Sequence, residues 1–288
     1  MKPGEPFFAE ARRRFHGALL KSVLTKDARG VVSNADDGNA ASIAIARDVA
    51  ELLGPLKTQV KTKGQTAGKV FENECRSFLA ETFLKLGHLR PGQWSLQVLE
   101  QRDKQGISRF EQYAHLSALA KAVMNNPELA TVLGNDYLIT PDIVVFREPV
   151  TDEEINQSAL LVDSETAARS PLRKSSGSQA LIHSSVSCKW TLRSDRAQNA
   201  RSEALNLIRN RKGRVPHIVS IIAEPLPGRI ASLALGTSDL DCVYHFALPE
   251  LLQVVTKEAY PDAHEMLRTL VDGKRLRDIA DLPLDLCI

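Results

Sequence analysis

Residues 181–192 (LIHSSVSCKWTL) read as a strand that runs directly into a stretch of helical spacing, and this junction constrains the fold more than any other feature. Side chains alternate across a strand, so Ser185, Ser187, Lys189 and Thr191 share one face and Val186, Cys188, Trp190 and Leu192 the other. From 195 to 210 the apolar period becomes helical, with Ala200, Ala204 and Leu207 on an inward stripe. Short runs rich in Val, Ile, Leu or aromatics predict further strands at 94–99, 143–147 and 217–223. Helical spacing is predicted at 7–24, 40–53, 68–87, 110–125, 248–258 and 261–271. Strands interleaved with helices imply an α/β fold, a central mixed β-sheet flanked by helices. The chain has 288 residues, enough for one large domain or two small ones, and we take 1–288 as a single domain.

Several function classes drop out early. The four cysteines show no Cys-x-x-Cys spacing, which argues against a zinc site and a disulfide framework. No apolar run approaches the ~18 residues of a membrane span. The N-terminal stretch carrying Arg12-Arg13-Arg14 lacks the apolar core of a signal peptide. The expectation is a cytoplasmic protein with no membrane partner. Its net charge is only +2, but residues 189–214 hold eight basic side chains against Asp195 and Glu203. A local basic patch on a near-neutral body suits a polyanion that docks at one place.

The chemistry concentrates at two strands. Asp142 follows Pro141 at the head of the 143–147 run, where a ligand can reach it. Ser187 and Lys189 are expected to project into the same cleft. Phosphodiester hydrolysis needs an attacking hydroxide and charge stabilisation, which a divalent ion on carboxylates supplies. Beside Pro-Asp, an Asp-x-Lys or Glu-x-Lys is the usual partner, and here serine holds the acidic position. Glu203, on the inward stripe of the following helix, is the candidate for the missing charge, because a carboxylate there needs a cationic partner. Arg193-Ser194-Asp195-Arg196 sits where strand gives way to helix. Ser194 and Asp195 suit a helix start, but two arginines oppose the dipole there. Reading DNA explains them: arginine bonds guanine O6 and N7, and aspartate accepts from cytosine N4.

Taken together, these residues resemble type II restriction endonucleases of the PD-(D/E)XK superfamily, in the NgoMIV and SgrAI subgroup that cuts ahead of a CCGG core. The likeness runs from about Gly30 to the C-terminus through GVVSNAD (30–36), QYAHL (112–116), ITPDI (139–143), SCKWT (187–191), RSDRAQNARSE (193–203), RNRKGR (209–214), DCVYHFAL (241–248) and DLPLDL (281–286). The resemblance implies that Asp142 and the backbone carbonyl of Cys188 bind Mg²⁺ and that Lys189 contacts the attacking water and scissile phosphate. Glu203 replaces the missing carboxylate, Ser187 fills the vacated position, and Glu72 is a further acidic residue of the site. Arg193, Asp195 and Arg196 would read the CCGG core of double-stranded DNA. Asp36, Gln65 and Arg229 would read the outer base pair. Gly38 stands where the pattern has serine, and Asp37 where it has a small residue. The implied target is GCCGGC, cut after the first G to leave four-base 5′ overhangs. The implied assembly is a homotetramer of two back-to-back dimers in a prokaryotic cytoplasm, with a cognate DNA methyltransferase in the same system but not as a physical partner. The long 149–180 connection is expected to help build the tetramer. Two rivals remain: a nuclease of the same fold that reads DNA structure, and a DNA-binding protein that does not cut.

Overall fold

The computed structural model describes residues 4–59, 64–99, 106–133, 139–192, 194–236 and 239–288, without the side chains of 194–196. Helices α1 (Phe7–Ser22), α2 (Ala40–Leu53) and α3 (Gly64–Phe83) precede the first strand, β1 (Trp94–Val98). Next come α4 (Leu116–Met124), α5 (Pro127–Leu133), β2 (Ile143–Arg147), α6 (Asp152–Ile155), β3 (Leu181–Lys189), α7 (Ser194–Asn210) and β4 (His217–Ile222). The chain ends with α8 (Pro227–Ala234), β5 (Cys242–His245), α9 (Leu248–Val254), α10 (Pro261–Asp272), β6 (Leu276–Asp278) and α11 (Leu282–Asp285). The strands form one six-stranded sheet in the order β1-β2-β3-β4-β5-β6. The first three pair antiparallel, and β3 to β6 pair in parallel. Each parallel step has a helical crossover (α7, α8, then α9 with α10), as parallel neighbours require. The mixed α/β architecture read from the sequence is therefore the observed one.

Buried apolar residues from Ala11 to Leu286 join in a single continuous cluster. α3 packs against β1 and β3, with Phe71 against Trp190 at 5.2 Å between ring centroids. β3 lies between β2 and β4, and this corrects the expected polar and apolar faces. Both faces are covered: Ser184, Ser185 and Ser187 are as buried as Val186 and Cys188. Some of its buried polar groups find partners, such as His183 Nε2 with the Leu286 carbonyl at 2.7 Å, whereas the Ser184 hydroxyl has none among the described residues.

The helix expected over 110–125 is broken. Two 3-10 turns, Gly106–Arg109 and Glu111–Tyr113, precede α4. The cause is tertiary. The Gln112 amide clamps the Ile182 backbone, donating to its carbonyl at 2.7 Å and accepting its N–H at 3.0 Å. Tyr113 Oη donates to the Leu207 carbonyl at 3.0 Å. These bonds hold 111–113 against β3 and α7 in a shape that a continuous helix could not present.

The 149–180 connection is organised around Arg173, which is 3% exposed. Its guanidinium grips the Asp152 carboxylate with two bonds of 2.9 and 2.8 Å and donates to the Asp163 and Thr166 carbonyls. A Thr151 and Glu154 capping box starts α6. Leu160 and Leu161 project outward, 84% and 59% exposed.

Candidate active site

The sheet register brings the first pair of candidates together. Ile143 pairs with Val186 in the antiparallel ladder, so Asp142, one residue before β2, lies beside the C-terminal end of β3. Its Oδ2 accepts the Cys188 backbone N–H at 2.7 Å and the Lys189 ammonium at 3.0 Å. Among the described residues, Oδ1 accepts no hydrogen bond. Both side chains stay partly open to solvent. The expected meeting of Asp142 and Lys189 is thus observed, with one carboxylate oxygen held by protein and the other available.

Two more carboxylates act on this pair. Burial drives Lys189 toward its neutral form, but the charges of Asp142 and Glu203 outweigh it and raise its pKa. Lys189 is therefore a firm cation. Glu203, half-buried on α7, is pushed up to about 7, chiefly by burial, with Lys189 opposing and Asp142 reinforcing the shift. Among the described residues, no hydrogen bond contributes to it. Glu72, buried on α3, is also raised by burial, against its 2.8 Å bond from Lys69. It feels the charges of both Asp142 and Lys189. The four expected side chains therefore lie within one electrostatic neighbourhood.

Ser187 behaves differently from the expectation. Its hydroxyl donates to Ser220 Oγ at 3.0 Å, and Ser220 returns a bond to the Ser187 carbonyl at 3.3 Å. The parallel register sets the two serines opposite one another, so this hydroxyl is spent on joining β3 to β4. The Cys188 thiol is buried beside Cys75 and raised well above the usual thiol range by burial. Its sulfur is turned toward Cys75, so the backbone carbonyl is the atom Cys188 could offer beside Asp142.

Among the described residues, no three His, Cys, Asp or Glu side chains gather closely enough to hold a metal alone. A magnesium ion fits such a sparse set, because it keeps several waters and binds through one or two carboxylates plus phosphate oxygens. The open Oδ1 of Asp142 meets that requirement.

The residues expected to read DNA are described only in part. Arg193 falls outside the described residues, as do the side chains of Asp195 and Arg196. The backbone shows that α7 starts at Ser194, where the sequence placed it. Asp36 and Arg229 form an ion pair across 193 positions of sequence. Asp36 Oδ1 also accepts the Gly38 N–H at 3.3 Å. Gly38 carries no unusual backbone angle and has room for a side chain, so nothing local demands glycine there. Gln65 stands exposed in the first turn of α3.

One residue escaped the sequence reading. Glu224 follows β4 and is 1% exposed. Its Oε2 accepts the Leu192 N–H at 2.8 Å, its Oε1 the Leu226 N–H at 3.2 Å, and Arg229 Nη1 stands 4.0 Å away. Burial pushes it up to about 7 against those two amides and Arg229, with Asp36 adding to the rise. The only written signal was a lone glutamate after an apolar run, ahead of Pro225 and Pro227.

Comparison with known proteins agrees with this geometry. The family described as NgoMIV restriction enzyme matches residues 15–288. The type II restriction enzyme NgoMIV of Neisseria gonorrhoeae is 53% identical over 284 residues, covering 98% of this chain and 99% of that protein.

Proposed function

The chain belongs to the NgoMIV restriction enzyme family and is a type II, site-specific deoxyribonuclease; from this premise we propose that it cuts GCCGGC after the first G, with Mg²⁺, leaving four-base 5′ overhangs. The observation that carries the reading is Asp142 Oδ2 shared by the Cys188 amide and the Lys189 ammonium. That arrangement orients the carboxylate and sets a cation beside it, ready for a phosphate.

Asp142 and the Cys188 carbonyl would hold the magnesium, and Glu203 would take the place of the missing carboxylate. When bound, the ion supplies an acidified water and neutralises charge at the phosphoryl group. Lys189, held as a cation, contacts the scissile phosphate and orients the attacking water. Glu203, whose charge acts on both Asp142 and Lys189, would supply the negative charge that Ser187 lacks. Glu72 adds negative potential behind the pair. Ser187 does its part indirectly, by tying β3 to β4 beneath Lys189. Arg193, Asp195 and Arg196 read the CCGG core from the start of α7, while Asp36, Arg229 and Gln65 read the outer pair. The exposed Arg209, Lys212 and Arg214 add salt-dependent attraction to the phosphate backbone.

The chain works as one domain and assembles as a homotetramer in a prokaryotic cytoplasm, with a partner methyltransferase marking host sites. The exposed Leu160 and Leu161 on the Arg173-braced connection support that assembly. No helix among the described residues is long and apolar enough to cross a membrane. Digestion of mapped plasmid DNA with Mg²⁺, followed by end sequencing, tests the proposal. Discrete fragments ending at GCCGGC are expected. Ends at unrelated sequences, or structure-dependent nicks, would refute it.

A further inference from the structure

We infer that Glu224 is a positioning residue that fixes the outer-pair reader relative to the core reader, and so sets discrimination at the outer base pair. The inference rests on the reading roles proposed above. Three separate segments converge on residues 223–224. The first is the segment just after β3: the Leu192 N–H, one residue before Arg193 in sequence, donates to Glu224 Oε2 at 2.8 Å. The second is the entry to α8: the Leu226 N–H donates to Oε1 at 3.2 Å, and Arg229, one turn into that helix, faces the same oxygen at 4.0 Å. The third is the 30–36 segment. Asn34 Nδ2 donates to the Ala223 carbonyl at 2.7 Å, and Asp36 pairs with Arg229. His245 Nε2 closes the arrangement from β5, 3.1 Å from the Glu224 carbonyl.

The chemistry explains why glutamate stands here. Buried backbone N–H groups at the end of a strand and the start of a helix must find acceptors. A carboxylate offers two oxygens to two such amides and still attracts a guanidinium; an amide side chain offers only one. The cost is a buried charge, visible as a pKa pushed up to about 7 by desolvation. Water could accept from the same two amides without a buried charge, but it would not tie them to one another. The carboxylate instead fixes the distance between the residue before Arg193 and the helix carrying Arg229. DNA reading depends on such fixed spacing, since each reader must meet its own base edge.

The test uses full-length protein carrying Glu224→Ala and, as a milder change, Glu224→Gln, which keeps the packing and one acceptor. Amide hydrogen exchange on the DNA-free protein is read first. Glu224→Ala is expected to speed exchange together in 30–39, 190–197 and 225–230, leaving 139–145 protected. Faster exchange confined to 225–230 would overturn the inference, whatever the DNA target proves to be. The specificity ratio is read second: kcat/KM on the site found by end sequencing of parental digests, divided by kcat/KM on its outer-pair variant. That ratio cancels changes common to both substrates. A fall of about tenfold is expected for Glu224→Ala, the scale of one lost base contact, and a smaller fall for Glu224→Gln. The loss should enter through KM rather than kcat on the cognate site. An unchanged ratio in a parent that does discriminate would refute the role of Glu224 alone. A parent without sequence preference would instead refute the reading roles, while the exchange data still judge the convergence at Glu224.

Discussion

Glu203 and Glu224 stand in two neighbouring regions and are raised by burial to the same value of about 7, yet their surroundings differ in kind. Glu203, in the region proposed to cut, has no hydrogen-bond contribution from the described residues; the charges of Lys189 and Asp142 modify the effect of its burial. Glu224, in the reading region, gives both oxygens to backbone amides and faces Arg229. Asp142 stands between the two, with Oδ2 bonded to the Cys188 amide and Lys189 and Oδ1 open among the described residues, while Asp36 repeats the second pattern with its ion pair and turn bond. The region proposed to cut keeps an acceptor oxygen of Asp142 open, as a cation site would require. The region proposed to read commits the Glu224 oxygens to its own backbone.

The largest effect should come from Asp142→Ala. Single-turnover cleavage of a cognate duplex is expected to fall by about 10³-fold or more, because the metal loses its anchor. Gel-shift titration should still show sequence-specific binding. Unchanged turnover would remove Asp142 from the cutting region. In the reading region, Arg229→Ala should cost about 1–3 kcal/mol of discrimination at the outer base pair, measured by competition between GCCGGC and its outer-pair variants. Wild-type discrimination would detach Arg229 from reading. Replacing both Leu160 and Leu161 by serine should shift sedimentation from tetramer to dimer; a tetramer that persists would free the 149–180 connection from assembly.

The smallest effect is read at Glu203 alone, by pH. Glu203 titrates near 7 in the folded chain against an ordinary 4.5. Folding therefore retains a proton that the unfolded chain has released. That contribution is fully present below pH 4.5 and is lost as pH rises through about 7. Glu203→Gln should gain melting temperature relative to the parent at pH 8, by about 2–4 °C after allowing for partial solvent access, with no gain at pH 4.5. Calorimetry in chelator would read it. A variant equally offset at both pH values would mean that Glu203 is not held by burial.

Much of this was legible in the chain. Strand and helix periods located β2, β3 and the start of α7, and the Pro-Asp and Ser-x-Lys motifs pointed to the meeting that the antiparallel register then produced. What stayed hidden was set by tertiary contact. β5 and β6 are four and three residues long, too short for a period to show. The Gln112 clamp broke a helix whose spacing looked continuous. Ser187 looked available until its register opposite Ser220 was known. Glu224 was invisible because its partners are backbone amides, which no sequence marks.

The most direct test of an open cutting region is the magnesium dependence of single-turnover cleavage for the parent and for Asp142→Asn. This substitution keeps the shape and removes the charge. The account predicts saturable, Mg²⁺-dependent cleavage for the parent and no saturable activation for the variant. Parental cleavage in chelator, or the same Mg²⁺ midpoint and rate in both proteins, would contradict it.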